Sequence, residues 1–366
     1  MSESTGALSD LETLAEWSRV FRDLTIWRPL VEAVLRRHDL AGCWARLEIE
    51  AGRLGGTHAV FTVNDRLVVK LYAPFWPDDH QREAAVLGRL AKRGPLAGSV
   101  EVPRLLASGS LDARVPGSGG REWPYAVTRY VPGVPLGEVW PGLGPDARRR
   151  VASQLGAALA DLHRSGLDGL EALLPAAGRP AGSLDAAARR AWDLFVSDRR
   201  QAASETQRQW GALPDMLARD LDGFLRGLGP LPRPEWRPAL LSCDVTADHV
   251  LVAGGTEAAR VCGLIDFGDA MIGDPEYEFV VVYLSALQLD PAAFAAMLAA
   301  YGHEADVGLG ARIMAYALLH KFSLFGELPG EVRRRLLSAP DLETAAQMLW
   351  AGLPARLPVE PELKVR

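Results

Sequence analysis

The sequence predicts an α+β chain folded as two lobes: a small one of antiparallel strands with a helix embedded in it, and a larger one that is mainly helical. Three observations carry that expectation. Strand-type apolar runs crowd residues from about 45 to 131, a Pro132-Gly133 pair follows the last of them, and helical apolar spacing dominates from about Asp146 onward. A chain of 366 residues is long for one simple core and short for three, so the expected lobes are 1–131 and 132–366.

Leu14, Trp17, Val20 and Phe21, then Trp27, Leu30, Val31, Val34 and Leu35, recur at helical spacing, so one or two helices open the chain. The stretches ARLEIEAGRLGG, THAVFTV and RLVVKLY read as strands separated by Gly-Gly and Asn-Asp turns. Asp78 and Asp79 are N-cap candidates for a helix over QREAAVLGRLAKR, whose apolar face holds Val86, Leu87 and Leu90. VPRLLASGSL and YAVTRYV supply two further strands around the loop RVPGSGGREWP. In the second lobe the apolar runs ALLSCD, HVLVAGG and RVCGLIDF interrupt the helices.

Composition narrows the function. Apolar residues at 48% are ordinary for a globular protein, and a net charge of −6 leaves no footprint for a nucleic-acid backbone. The acidic N-terminus MSESTGALSDLETLAEW lacks the features of an export signal, and no apolar run is long enough to span a membrane. Cys43, Cys243 and Cys262 are odd in number and lack metal-ligand spacing, which points to reduced thiols in a cytoplasmic protein. A partner of high negative charge is not expected.

Only Lys70, Lys92, Lys321 and Lys364 are lysines, so the lysine inside the apolar strand LVVKLY stands out. An ammonium in that setting needs an opposite charge or a polar ligand, and Glu83, in the helix that follows, is placed to supply one. Such a pair suits the gripping of nucleotide phosphates; the alternative is a half-exposed lysine beside an unrelated surface glutamate. Gly55, Gly56, Thr57 and His58 lie between two strands where backbone N–H groups could close over a triphosphate, although glycine pairs also mark ordinary hairpin turns. LLSCDVTADHVLV followed by GLIDFGDA sets Asp244 and Asp266 22 residues apart, read as the ends of strands in one hairpin. Phosphoryl transfer asks for a base near the acceptor hydroxyl and a carboxylate for magnesium, which are the parts offered by Asp244 and by Asp266 respectively. A turn-capping aspartate is the alternative for Asp266.

These residues resemble the aminoglycoside phosphotransferase family, kinases of small hydroxylated molecules with a protein-kinase-like fold, over nearly the whole chain. Within it, VVKLYAPFW, EWPYAVTRYVPG, ALLHKFSLFGELP and DLETAAQMLWAG resemble segments of members acting on hygromycin B, and members acting on capuramycin are the competing reading. The resemblance implies a bilobal fold, ATP or GTP as phosphoryl donor, and Mg2+. It makes Asp244 the catalytic-loop aspartate and Asp266 the metal-binding aspartate, and it makes Arg129, Tyr130 and Val131, after Thr128, the hinge for the nucleotide base. In GDPEYE, Asp274 is expected to hold a loop. Two positions depart from the family's His-Gly-Asp and following Asn: Ser242 replaces the histidine and His249 the asparagine. His249 then contacts a phosphate or metal-bound water, binds the metal itself, or packs as a histidine without a ligand.

For the acceptor, Asp269, Glu276, Glu278 and Glu327 offer an acidic rim for a cationic sugar, or else a solvated face. His320 and Lys321 in LLHKFSLF are the other candidates; the lysine disfavours a polyamine and points to a nucleoside antibiotic or a sugar. Trp192, Phe195 and Tyr316 supply an aromatic wall or part of the core. The competing classes are a kinase of a non-antibiotic sugar, a nucleotide-binding pseudokinase, and a protein kinase. The last is disfavoured because no long activation segment follows Asp266.

Overall fold

The computed structural model describes residues 8–350, apart from 10, 41, 43, 45, 53–55, 176–182, 305 and 307. The chain divides into two units, one formed by Met1–Gly133 with Cys262–Ala270 and the other by Val134–Val261 with Met271–Arg366. The expected α+β class and the order of strands first and helices after are those of the structure. Among the described residues no helix is long and apolar enough to cross a membrane. Among the described residues Cys243 and Cys262 are buried and form no disulfide, and Cys43 lies outside the described residues.

In the first unit, helix α1 (Leu14–Val20) begins at a capping box in which Thr13 and Glu16 bond each other's backbone N–H. Helix α2 (Leu24–Arg37) starts at Asp23 and buries Trp27, Leu30, Val31, Val34 and Leu35 on one face. Strands β1 (Ile49–Ala51), β2 (Ala59–Val63), β3 (Leu67–Leu71), β4 (Leu105–Leu111) and β5 (Trp123–Arg129) form one sheet of order β1-β2-β3-β5-β4. Its neighbours pair antiparallel throughout. Asn64 and Asp65 turn β2 into β3 with φ of 53° and 50°, left-handed values that this residue type tolerates and that a tight hairpin demands. Helix α3 (Asp79–Leu90) follows β3. Asp78, expected to cap it, makes no capping bond, and Asp79 turns its carboxylate to His58 instead. The unit's core is aromatic: Trp27 meets Trp123 edge-on at 4.9 Å, and Trp17 stacks on Trp123 at 6.1 Å.

The second unit opens with β6 (Val134–Pro135) and α4 (Leu136–Val139), then α5 (Pro145–His163), α6 (Leu184–Trp210) and α7 (Asp215–Gly227). Strands β7 (Ala239–Leu241), β8 (Val250–Ala253), β9 (Arg260–Leu264) and β10 (Met271–Gly273) come next, and β9 carries the chain back into the first unit. Helices α8 (Pro275–Val281), α9 (Pro291–Tyr301), α10 (Leu309–Leu318), α11 (Gly330–Leu336) and α12 (Leu342–Leu349) complete the described chain.

One expectation fails here. The strand before Asp244 does not share a hairpin with the strand before Asp266: β7 pairs with β10, whereas β8 lies between β6 and β9. Short apolar strands do not encode their partners, and β7 finds its partner 30 residues on, from Leu241 to Met271.

Close packing of α5 on α9 depends on Gly156, where a Cβ would lie 2.2 Å from the carbonyl oxygen of Met297. Trp192, Tyr277 and Tyr316 are buried and form an aromatic core rather than a wall: Trp192 lies 5.2 Å from Tyr277, and Tyr277 5.6 Å from Tyr316. His320, expected to face substrate, is fully buried and stacks on Tyr277 at 4.5 Å. Its Nδ1 accepts the Phe322 N–H at 3.2 Å, which puts the ring proton on Nε2, a nitrogen with no partner among the described residues. Burial first, then the nearby Lys321 and Arg199 charges, push its pKa well below 6.5.

Two outcomes follow from this packing. Gly156→Ala should lower the unfolding free energy by about 1–3 kcal/mol, because backbone must move to admit the methyl group; a wild-type denaturation midpoint would contradict the close contact. His320 is neutral in the fold, so below its ordinary pKa of 6.5 the unfolded chain takes up a proton that the fold refuses. Stability is therefore lost as pH falls, by at most about 1.4 kcal/mol per pH unit from this group. Relative to His320→Phe, wild-type stability should decline on acidification from about pH 7 to about pH 5. A constant difference would mean that His320 protonates freely in the fold.

Candidate functional site

Lys70 points from β3 into a buried polar cluster of the first unit. Its Nζ lies 2.8 Å from Glu83 Oε2 and 3.0 Å from Asp266 Oδ1, so α3 and the end of β9 each bring a carboxylate to one ammonium. Lys70 is 8% exposed and Glu83 5%. Burial works against the lysine's charge, but Asp266 and Glu83 outweigh it and hold its pKa above the ordinary value. The Tyr72 hydroxyl donates to Glu83 Oε2 at 2.6 Å, and the Phe267 N–H reaches Glu83 Oε1 at 3.5 Å. Burial, and then the Glu83 charge, keep that phenol well above its usual pKa.

Asp266 is placed by backbone. Glu101 grips the end of β9 by donating its N–H to the Cys262 carbonyl and accepting from the Leu264 N–H, both at 2.9 Å. Asp266 then adopts φ of 62°, a left-handed conformation that turns the chain and swings the carboxylate toward Lys70. The Gly268 N–H donates to Asp266 Oδ1 at 3.1 Å, and the Asp266 side chain is about one-third exposed, at 33%.

In the second unit, Asp244 follows β7 on a loop fastened from beneath. Cys243, with φ of 63°, donates its N–H to Glu278 Oε1 at 2.7 Å. Glu278 is fully buried, and its Oε2 meets His163 Nε2 at 2.5 Å, while His163 Nδ1 meets the Tyr301 hydroxyl at 2.9 Å. The Asp244 carboxylate is a quarter exposed, at 25%, with His249 beside it. Nδ1 of His249 lies 2.9 Å from the Asp244 carbonyl oxygen and 3.2 Å from its Oδ2. That ring nitrogen therefore faces Asp244.

The remaining expected residues separate. Gly55 lies outside the described residues. Gly56 has open space where a Cβ would be, and Thr57 is exposed. His58 departs from its expected place over the phosphates: it is 4% exposed, its Nε2 lies 3.1 Å from Asp79 Oδ2, and its Nδ1 accepts the Ala73 N–H. With both nitrogens engaged, its ring holds the start of α3 to the chain just after β3. The N–H groups of Arg129 and Tyr130 are taken by the carbonyls of Arg104 and Arg66, each at 2.9 Å. No such bond engages the N–H of Val131 among the described residues.

Of the acidic rim, Asp269 is half-buried and Glu327 exposed, but Glu276 and Glu278 are core residues. Glu276 receives Arg312 through two bonds, at 2.7 and 2.8 Å, and His303 at 3.1 Å. Burial raises its pKa, but Arg312 and His303 outweigh burial and hold it low. Beside it, Asp274 caps α8, accepts the Tyr316 hydroxyl at 2.7 Å, and has its pKa pushed up to about 6 by burial and then by the Glu276 charge. Lys321 is half-buried, with its ammonium 4.9 Å from the Phe322 ring centroid.

Sequence reasoning missed the pair of His163 and Tyr301 behind Glu278, and Tyr72 on Glu83. Tyr72 had a signal, since it sits two residues beyond Lys70 on the same strand face. His163 had none, being the last residue of an otherwise ordinary amphipathic helix.

Residues 48–316 match the model of the phosphotransferase enzyme family, APH. The fold is similar to solved structures at low identity. A GDP complex of a point mutant of aminoglycoside 2′-phosphotransferase-IIIa is 20% identical with a TM-score of 0.58, the match covering 88% of this chain and 95% of that one. The GDP and kanamycin complex of APH(2″)-IIIa is 18% identical with a TM-score of 0.57, covering 87% and 96%. The macrolide 2′-phosphotransferase MphH from Brachybacterium faecium, as apoenzyme, is 20% identical with a TM-score of 0.51, covering 87% and 97%. At such identities the likeness speaks for the fold. The family model, which spans most of the chain, takes in the strand of Lys70 and the loops of Asp244 and Asp266, and on that ground the protein belongs to the phosphotransferase enzyme family as a small-molecule O-phosphotransferase.

Proposed function

We propose that this enzyme transfers the γ-phosphoryl group of ATP or GTP to a hydroxyl of a small-molecule antibiotic of low positive charge, a nucleoside antibiotic in preference to a polyamine aminoglycoside. The observation that carries the kinase reading is the buried Lys70 ammonium held by Glu83 and Asp266. A strand lysine kept charged and aimed by a helix glutamate is a phosphate grip, and its second carboxylate marks where a metal-bound triphosphate belongs. The base of the nucleotide takes the Val131 backbone, whose N–H is left over once Arg129 and Tyr130 have bonded within the protein.

Asp266 fits magnesium: it is a hard oxygen donor and a third exposed, which suits an ion that takes most of its shell from phosphates and water. Bound with the nucleotide, the ion neutralises charge on the transferring group. Asp244 accepts the proton of the attacking hydroxyl. His249, donating from Nδ1 to the Asp244 loop, fixes the orientation of that base, so its role lies with Asp244 rather than with the metal.

For the acceptor, burial removes Glu276 and Glu278 from any rim, and Lys321 adds positive charge. Fewer carboxylates and one more cation suit a less basic molecule. The structural neighbours named for aminoglycoside and macrolide transfer span both kinds of acceptor.

Asp244→Ala should cut turnover by about 10²–10⁴-fold while nucleotide affinity holds, because only proton removal is lost; wild-type rates in that variant would overturn the assignment. Asp266→Ala should abolish magnesium-dependent nucleotide binding in calorimetry, and unchanged binding would remove Asp266 from the metal site. The acceptor is tested by expressing the chain in a sensitive bacterium and challenging it with hygromycin B, other aminoglycosides and capuramycin. Protection against capuramycin alone supports the low-charge reading, protection against polyamine sugars refutes it, and nucleotide binding without transfer to any acceptor makes the protein a pseudokinase.

A further inference from the structure

Helix α3 brings Glu83 to Lys70, yet its own start is not fastened in the ordinary way. Helices usually begin on a side-chain cap, and Asp78, at the N-cap position, makes no capping bond. The next residue, Asp79, turns its carboxylate outward from the helix end. Its Oδ1 accepts from Arg82 of the same helix at 3.2 Å, and its Oδ2 meets Nε2 of His58, which stands just ahead of β2, at 3.1 Å. The start of α3 is therefore tied to the sheet rather than to itself.

His58 is a fixed donor. It is 4% exposed, and its Nδ1 accepts the Ala73 N–H at 3.1 Å, so the ring proton sits on Nε2 and is given to Asp79. His58 and Ala73 flank a paired stretch of sheet, in which Ala59 of β2 faces Leu71 of β3, and the Tyr72 N–H continues to the Pro124 carbonyl at 2.9 Å. Asp79 and Glu83 are four residues apart, on one face of α3 and one turn from each other. Holding Asp79 thus sets the rotation at which Glu83 meets Lys70. The first turn of α3 also borders the site itself: a Cβ on Gly268 would meet Asp266 Oδ1 at 3.3 Å, Lys70 Nζ at 3.7 Å and Asp79 Cβ at 3.8 Å.

We propose that His58 is a positioning residue for the Lys70–Glu83 pair, acting through Asp79 to set the angle of α3 on the sheet. Its effect on nucleotide rests on the reading of Lys70 as the phosphate grip; the tie itself is a property of the first unit. A glutamate on a helix free to turn would meet the lysine for only part of the time, and an ammionium held loosely grips phosphate less well.

His58→Asn sets an amide oxygen near the place of Nδ1, keeping the Ala73 bond, and falls short of Asp79. His58→Gln reaches Asp79 with its amide N–H. Both lose the imidazole ring, which packs on Tyr72 at 4.8 Å, so that loss is common to the pair. Lysines are so few that labelling them with a nitrogen isotope visible to NMR isolates the Lys70 ammonium, and Lys70→Arg assigns its signal. Proton exchange at that ammonium should quicken roughly tenfold in His58→Asn, the scale of one charge-assisted hydrogen bond, and return to the wild-type rate in His58→Gln. Affinity for MgATP and MgGTP should fall by a similar factor in His58→Asn and recover in His58→Gln, with adenosine and guanosine binding unchanged. In a Glu83→Gln background His58→Asn should cause no further loss, because the route through Glu83 is already cut. Ammonium exchange at the wild-type rate in His58→Asn overturns the positioning role, and failure of His58→Gln to restore it overturns the route through Asp79. An equal loss of triphosphate affinity in both backgrounds also overturns the role, since general damage to the unit produces that result. Should His58→Asn fail to fold, Asp79→Ala removes the tie from the other side and Asp79→Asn keeps its acceptor, and the same outcomes decide. Wild-type protein that binds neither MgATP nor MgGTP overturns the phosphate-grip reading, while the ammonium exchange still decides whether His58 positions Lys70.

Discussion

A buried ammonium ion constrains this structure more tightly than any other group. Lys70 sits in a strand whose neighbours are apolar, and leaving such a charge without its partners costs about 3–5 kcal/mol. Two carboxylates from distant parts of the chain meet it, Glu83 from α3 and Asp266 from the turn after β9. Satisfying the lysine therefore fixes the rotation of α3, the exit angle of β9 and the left-handed backbone at Asp266 together. Because the charges do not cancel, one carboxylate's worth of negative potential is left beside a cation, an arrangement suited to receiving both a metal ion and phosphates.

Asp244 is held by a different device. Its position comes from backbone: the neighbouring Cys243 N–H is captured by Glu278, which is aligned in turn by His163. A carboxylate buried this completely has to be matched bond for bond, and the N–H of a left-handed residue supplies one of those bonds. The stiffness of the loop thus originates in α5 and α8, two helices that carry no proposed chemistry. Ser242, just before this loop, is fully buried, and the Glu278 anchor holds the loop through the Cys243 N–H.

The parts of this arrangement that sequence could reveal are those where a residue type conflicts with its local surroundings. A lysine in LVVKLY and aspartates at the ends of apolar runs are such conflicts, and the structure brings Lys70, Glu83 and Asp266 into contact. Periodicity likewise located the leading helices and the five strands of the first sheet. What could not be read was direction and partnership. Charged residues usually face solvent, which would turn the glutamates of PEYEF outward, yet α8 sends Glu276 and Glu278 inward to Arg312 and His163. His58 and His320 look like ligands in a linear sequence and are packing groups in three dimensions. The pairing of β7 with β10 also depends on where the intervening chain returns, which three-residue strands do not encode.

The return of Cys262–Ala270 to the first unit has a bearing on biosynthesis. When the ribosome has released Gly133, the sheet and both leading helices are available, but the segment that supplies Asp266 has not been made. At common elongation rates it follows roughly 6–25 seconds later. During that interval the nascent unit contains a lysine with Glu83 as its only carboxylate, so it stays short of its final stability while the second unit is still being synthesised. The turn that carries Asp266 thus also acts as the closing stitch of the earlier-made half, which ties completion of the first unit to synthesis of a segment more than 120 residues further on.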